Sequence, residues 1–112
     1  VVVVWGTGSP LREFLHVDDL ADAVMFLMDK YSDFPHVNVG SGNEVTIKNL
    51  AELVKEVVGF EGELKWDPTK PDGTPRKLMD SSKLANMGWK PKISLRDGLV
   101  GTYKWYVENY LQ

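Results

Sequence analysis

The apolar residues of this chain change their spacing repeatedly, from short β-branched runs to helical repeats and back. The run at residues 1–5 is typical of a strand. From Leu20 to Tyr31, in contrast, apolar residues recur three and four positions apart, which predicts an amphipathic helix of about three turns. Because strands and helices alternate along the chain, the sequence favours an α/β arrangement over a helical bundle or a β-sandwich.

The same patterns predict the remaining elements and their ends. Extended segments are expected at residues 1–5, 13–17, 36–40 and 63–66, and helices at residues 20–31, 47–58, 81–87 and 95–110. Helix caps are expected, in chain order, at Asp18 or Asp19, at Thr46, at Ser81 or Ser82, and at Ser94, where Asp97 completes a capping box. Gly59 should end the second helix. Residues 67–79 contain three prolines and a glycine, so an irregular loop is expected there.

Composition excludes several classes of protein. The 112 residues are 43% hydrophobic and 26% charged, which fits one domain of modest size. A net charge of -3 argues against a nucleic-acid binder, because a phosphate backbone needs a basic face. With no cysteine and no pair of histidines at ligand spacing, a metal site is not expected. The run at residues 1–5 is too short to cross a bilayer, so we expect a soluble, cytoplasmic protein without a membrane partner.

The chain begins with valine inside a strand-like run and carries no initiator methionine. The backbone groups of such a strand need hydrogen-bond partners from elsewhere. We therefore interpret residues 1–112 as a single C-terminal segment of a longer protein.

Two polar segments hold the candidate site residues. The first polar segment is residues 5–14 (WGTGSPLREF) and the second polar segment is residues 70–80 (KPDGTPRKLMD). Each places cationic side chains beside prolines and glycines, a composition typical of a fixed loop that presents charge to an anion. Together they predict a clamp for a phosphorylated ligand.

In the first polar segment the candidates are Trp5 and Arg12. A guanidinium matches phosphate oxygens in a planar, bidentate way. The alternative for Arg12 is a surface ion pair with Glu13 or Asp18. An indole beside such an arginine would lie against a base or a sugar, although simple packing of Trp5 is also open.

In the second polar segment, Arg76 and Lys77 would close on the other side of a pyrophosphate. Asp72 would accept hydrogen bonds from sugar hydroxyls or from a guanine edge. A solvated loop whose charges serve only solubility is the alternative.

The glycine turn, the two histidines and the adjacent aspartates have structural interpretations. The Gly6-Thr7-Gly8 turn follows a strand, but Pro10 and Leu11 replace the helix start and third glycine of a dinucleotide fingerprint. His16 and His36 are interpreted as packing residues, and the adjacent aspartates at 18 and 19 as a cap rather than a catalytic pair. No catalytic residue is assigned.

Three stretches carry a resemblance to a known family: residues 5–21 (WGTGSPLREFLHVDDLA), residues 36–42 (HVNVGSG) and residues 70–80. Together they closely resemble the GDP-L-fucose synthase family, a group of extended short-chain dehydrogenase/reductases. Residues 12–21 alone would indicate only the broader group of nucleotide-sugar epimerases and dehydratases, so the second polar segment is the more discriminating part. The likeness runs along essentially the whole chain and corresponds to about the last third of such an enzyme.

The resemblance implies NADPH-dependent conversion of GDP-4-keto-6-deoxy-D-mannose to GDP-L-fucose, by epimerisation at C3 and C5 and reduction at C4. It implies that Trp5, Arg12 and Asp72 contact the GDP-sugar and that Lys77 joins Arg12 at the diphosphate. It also implies a homodimer, and a Rossmann-like α/β enzyme in which this chain is the C-terminal, substrate-binding portion.

The family's cofactor turn and reducing centre match no residue of this chain, so the resemblance implies that an N-terminal half binds NADPH. We therefore expect the isolated chain to be inactive. Two alternatives stay open: a stand-alone, non-catalytic module that binds GDP or a GDP-sugar, and a nonfunctional truncated remnant.

Overall fold

The computed structural model describes residues 1–111. Its strands are Val2–Trp5 (β1), Leu11–Glu13 (β2), Glu44–Thr46 (β3), Leu64–Asp67 (β4) and Arg76–Lys77 (β5). Its helices are Val17–Lys30 (α1), Ile47–Val58 (α2), Ser82–Asn86 (α3) and Leu95–Tyr110 (α4). The alternation of strands and helices confirms the α/β class. Across residues 1–111, no helix is long and apolar enough to span a membrane.

The strands form two small sheets. In the first, β1 and β4 run parallel, from Val2 opposite Leu64 to Trp5 opposite Asp67. In the second, the order is β3-β2-β5, with β3 antiparallel and β5 parallel to the central β2. The chain crosses from the first sheet to the second twice, once between β1 and β2 and once between β4 and β5. The first crossing lies within the first polar segment, and residues 70–75 of the second polar segment form most of the second crossing, so the topology places the two segments side by side.

The N-cap of helix α1 lies two residues before the nearer of the two predicted caps. His16 is the N-cap, and its Nδ1 accepts a hydrogen bond from the Asp18 N–H at 3.0 Å. The expected caps at Asp18 and Asp19 are therefore wrong, because an imidazole nitrogen already serves the first turn. His16 is 16% exposed and lies against Gly98, so its interpretation as a packing residue is confirmed, with the capping bond as an additional structural role.

The caps of the later helices follow the sequence more closely. Thr46 Oγ1 accepts from the Asn49 N–H at 3.1 Å, and Ser94 Oγ accepts from the Asp97 N–H at 3.1 Å. Gly59 ends α2 with φ +73°, as predicted. At α3 the N-cap Ser81 makes no side-chain capping bond within the described chain, and the Ser82 N–H donates instead to Asp80 Oδ1 at 3.0 Å.

Three extended-segment predictions need correction. Residues 36–40 do not form a strand, because no neighbouring strand in residues 1–111 pairs with them, although Val37 and Val39 pack against the core. The second extended piece lies at Leu11–Glu13 rather than at residues 13–17, since the strand ends at Glu13 and α1 begins at Val17. The loop expected at residues 67–79 contains β5, since Arg76 and Lys77 pair with β2.

The core is small for a chain of this size. Ala23, Leu84 and Trp89 are the buried hydrophobic residues, with a few half-buried neighbours around them. The accessible surface is 8066 Å², whereas a compact 12.6 kDa protein exposes about 6,200 Å². The radius of gyration is 16.7 Å, against about 13 Å for a compact domain. Much apolar surface therefore lies open.

Two aspartates on α1 hold the segment that follows α3. Asp19, at 2% exposure, accepts hydrogen bonds from the backbone N–H groups of Lys92 and Ile93 at 3.1 and 2.9 Å. One turn later, Asp22 Oδ2 accepts from Trp89 Nε1 at 2.9 Å. These bonds fix residues 89–93 against α1, so both carboxylates have a structural function.

Candidate functional site

Backbone hydrogen bonds join the two polar segments at both ends. The Gly6 N–H donates to the carbonyl of Asp67 at 2.8 Å, and the Leu11 N–H donates to the carbonyl of Pro75 at 2.9 Å. Between these points the two crossings run next to each other. The structure therefore brings together the two segments that the sequence singled out.

Asp72 joins the segments through its side chain. Its Oδ1 accepts from the Thr7 N–H at 2.6 Å, and its Oδ2 accepts from the Thr7 hydroxyl at 2.7 Å. Hydrogen bonds from the backbone and then the side chain of Thr7 lower the pKa of Asp72 below its ordinary value, because they favour the charged form. Gly6 has φ +90°, and a Cβ there would overlap the Asp72 carboxylate. Glycine at position 6 is what allows this approach.

Arg12 and Lys77 are neighbours on adjacent strands. The parallel register of β2 and β5 places Arg12 directly opposite Lys77. Residues paired in this way project from the same face of a sheet. Both line an open depression of about 480 Å³, together with Glu13, Leu78 and Met79. Two cationic side chains thus lie side by side at the edge of a concave surface.

Arg76 lies on the opposite face. It follows the alternation of β5, and its guanidinium forms a bidentate ion pair with Glu44 on β3, Nε to Oε1 at 2.7 Å and Nη2 to Oε2 at 2.9 Å. The hydrogen bond and the charge of Glu44 raise the pKa of Arg76. The expectation that Arg76 joins Lys77 at a pyrophosphate is corrected, because Glu44 occupies its guanidinium on the other side of the sheet.

Arg12 has no acidic partner within residues 1–111. Its Nη1 donates to the carbonyl of Leu11 at 2.7 Å. The carboxylate of Glu13 accepts instead from the Gly42 N–H at 2.8 Å, and the Asp18 carboxylate lies 3.9 Å from His16. The alternative of an ion pair with Glu13 or Asp18 is therefore wrong. The guanidinium keeps donors available for an anion.

Trp5 is the aromatic surface of the site. It is 66% exposed, so it is not a core residue, and Lys70 Nζ lies 5.3 Å from the centroid of its ring. This distance is that of a cation–π contact. The exposed indole at the end of β1 offers a flat apolar face, and its contact with Lys70 joins the first polar segment to the second.

Two residues of this arrangement were not predicted from the sequence. No sequence motif predicted a role for Thr7, although its position between two glycines indicates that it lies in a tight turn. Glu44 follows the turn at residues 40–43 and carries no local signal. Its bond to Arg76 spans 32 positions of the chain, which only the sheet topology reveals.

The turn at residues 6–8 does not fit the pyrophosphate of a dinucleotide cofactor. The turn at residues 6–8 leads into β2 rather than a helix, so it offers no helix N-terminus to a pyrophosphate. At Gly8 a Cβ would overlap Lys48 and the Trp66 ring, which gives this glycine a packing reason. The prediction that this turn is not a Rossmann start is confirmed. The described residues also contain no cluster of three side chains that would hold a metal ion.

Comparison with known proteins supports the family resemblance. The model of the NAD dependent epimerase/dehydratase family matches residues 1–40. GDP-L-fucose synthase 1 of Arabidopsis thaliana is 79% identical over 108 residues, and GDP-L-fucose synthase of Escherichia coli K12 is 47% identical over 117 residues. Each alignment covers 96% of this chain and 33% and 36% of those proteins, respectively. The chain thus spans about a third of the length of the curated relatives it matches.

A solved structure extends the likeness to three dimensions. The GDP-L-fucose synthetase of Naegleria fowleri bound to NADP superposes with a TM-score of 0.92 at 26% identity, over 98% of this chain and 35% of that one.

The fold and these matches indicate the class of protein: residues 1–40 match the NAD dependent epimerase/dehydratase family, and 98% of the chain is similar in fold to a solved GDP-L-fucose synthetase. In sequence it is similar to the GDP-L-fucose synthases over about a third of their length.

Proposed function

We propose that residues 1–112 are the GDP-sugar-binding segment of a GDP-L-fucose synthase. The whole enzyme would convert GDP-4-keto-6-deoxy-D-mannose to GDP-L-fucose, by epimerisation at C3 and C5 and NADPH-dependent reduction at C4. The observation that carries the proposal is the pair Arg12 and Lys77, opposite each other on β2 and β5 and lining one depression. A diphosphate is the anion that suits two adjacent cations of which one is a planar guanidinium.

Each proposed contact has a physical reason. Arg12 would bind two phosphate oxygens, and Lys77 would add a point charge. The Trp5 ring would lie against the base or the sugar. Asp72 already accepts two hydrogen bonds from Thr7, but each carboxylate oxygen has a second lone pair that can accept from a sugar hydroxyl or a guanine edge.

Binding at these residues would contribute to catalysis by placement. Interactions with the nonreacting GDP hold the ketosugar in position for reaction, so they lower the entropic cost of the chemical step. Acid–base groups and the NADPH site would lie on residues outside these 112. We therefore propose that the isolated chain is inactive, and that the complete enzyme is a cytoplasmic homodimer.

The test is a calorimetric titration, in which GDP, UDP and ADP are each added to the protein that carries this chain. GDP should bind more tightly than the other two nucleotides. Arg12→Ala should weaken GDP binding about tenfold or more, because a charge-assisted bidentate contact contributes about 1.5–3 kcal/mol. In steady-state assays the same variant should mainly raise KM.

Arg96→Ala is the matched control. Arg96 is an exposed arginine on α4 that pairs with Glu56 at 3.0 Å, away from the site. Its substitution should leave the Kd for GDP unchanged. An unchanged Kd in the Arg12→Ala protein would contradict the diphosphate clamp.

A non-catalytic GDP-sugar-binding module is the second candidate. The feature that favours it is that all four proposed contacts lie within this chain. The size of the native gene product, measured by immunoblot, separates the two candidates. A band well above 12.6 kDa supports the enzyme, and a band at 12.6 kDa supports the module.

A further inference from the structure

The ion pair between Glu44 and Arg76 bridges the whole width of the second sheet. Glu44 lies on β3 and Arg76 on β5, with β2 between them. The Glu44 side chain is only 16% exposed, so its carboxylate is largely shielded from water. The pair therefore joins the two outer strands across the central one, on the face opposite Arg12 and Lys77.

Strand β5 needs such a restraint. It is only two residues long, both residues are exposed, and it has one neighbour in the sheet. A backbone ladder of this length fixes little by itself. A bidentate guanidinium–carboxylate pair adds orientation as well as energy, because its two parallel bonds tolerate few geometries.

We propose that Glu44 and Arg76 are positioning residues that hold β5 in register, so that Lys77 lies beside Arg12 at the ligand face. The inference rests on the proposed function, since it takes Arg12 and Lys77 to be the diphosphate contacts. It adds two residues that act through Lys77 and do not touch the ligand.

The direction in which Glu44→Gln changes the Kd for GDP distinguishes a positioning role from a simple electrostatic effect. Glu44 is negative and lies near an anion site, so removal of its charge should by Coulomb's law tighten anion binding. A positioning role predicts the opposite, because Lys77 loses its fixed place when the pair is broken.

The experiment measures the Kd for GDP by calorimetry in the protein that carries this chain. Glu44→Gln and Arg76→Gln should each weaken GDP binding about fivefold, the factor that corresponds to about 1 kcal/mol. The double variant Glu44→Arg with Arg76→Glu restores the pair in reverse, and its Kd should return to within about twofold of the original. Backbone amides of residues 76–77 should exchange faster in each single variant and regain protection in the double variant.

The controls come from the exposed Glu56–Arg96 pair between α2 and α4. Glu56→Gln and Arg96→Gln should change neither the Kd nor the exchange at residues 76–77. GDP binding by Glu44→Gln that equals or exceeds the original would overturn the inference. If a single variant unfolds, the Kd of the double variant is the test. A folded double variant that binds GDP weakly would also overturn the inference.

Failure of the proposed function would give a different result from failure of the positioning role. If the proposed function is wrong, Arg12→Ala and Lys77→Ala would themselves leave the Kd for GDP unchanged. If those two variants weaken binding and the Glu44 and Arg76 variants do not, only the positioning role is wrong.

Discussion

Asp72 accepts two hydrogen bonds from one residue, and its protonation therefore changes how the two polar segments are joined. Both of its oxygens are bonded to Thr7, from the other segment. A carboxylate that accepts donors in this way is favoured in its charged form. A residue proposed as a ligand contact thus also holds the site together.

The pH dependence of stability follows from the lowered pKa of Asp72. Since its ordinary value is 3.8 and its folded value is lower, the charged form stabilises the fold. This contribution is fully present above the ordinary pKa and is lost as pH falls below it. The difference in the free energy of unfolding between the natural protein and Asp72→Asn should therefore shrink as pH falls from about 6 to about 3.

Urea unfolding at each pH measures this difference. Thr7→Val is the companion variant, because it removes the hydroxyl donor and keeps the backbone one. The difference in the free energy of unfolding between Thr7→Val and the natural protein should also shrink as pH falls, by a smaller amount than for Asp72→Asn. A difference for Asp72→Asn that stays constant with pH would contradict the assignment.

At the scale of elements, α1 is fixed to residues 89–93 by a buried carboxylate rather than by apolar packing alone. Asp19→Ala would leave the N–H groups of Lys92 and Ile93 without their acceptor in a nearly buried place. We expect a loss of about 3 kcal/mol in the free energy of unfolding. Urea unfolding followed by tryptophan fluorescence measures it, since Trp89 lies in the same segment.

Asp18→Ala provides the control for this prediction. Asp18 is the adjacent aspartate, with a side chain that is 78% exposed. Its loss should cost less than about 1 kcal/mol, mainly through its interaction with the helix N-terminus. Equal losses for the two variants would show that burial of Asp19 is not what matters.

The elements that the sequence predicted well are those whose signals are local. The helical repeats of α2 and α4, the cap at Thr46 and the stop at Gly59 depend on neighbouring residues, and all are present. Strand β5 and the Glu44–Arg76 pair depend on contacts between distant positions, which periodicity does not report. The arrangement of the candidate residues was predicted in part: Arg12 and Lys77 are neighbours on one face, but nothing in the residue pattern alone indicated that Arg76 would lie on the other.

At the scale of the whole molecule, open apolar surface is the main feature. On α1, Leu20, Val24 and Met28 are 44%, 46% and 75% exposed, although the helical repeat predicted that they face a core. Patches of this kind mark interaction surfaces. The relatives are about three times as long as this chain, and we expect their additional residues to cover this face.

The isolated 112-residue chain should therefore bind the dye ANS, with strong fluorescence. Val24→Lys combined with Met28→Glu should lower that signal, because it removes part of the exposed apolar face. Asp29→Asn, on the same helix, should leave it unchanged. Weak dye binding by the natural chain would contradict the interpretation of this surface.

The alternation of side chains along β5 has a consequence for how the second polar segment tolerates change in length. Arg76 and Lys77 occupy opposite faces because they are consecutive, so a slip of β5 by one residue along β2 would exchange the two faces. A slip in one direction would bring Lys77 to Glu44 and Leu78 beside Arg12, and a slip in the other would bring Arg76 beside Arg12 and leave Glu44 without its partner. Changes in length between β4 and β5 that keep both pairs must therefore be absorbed within residues 68–75.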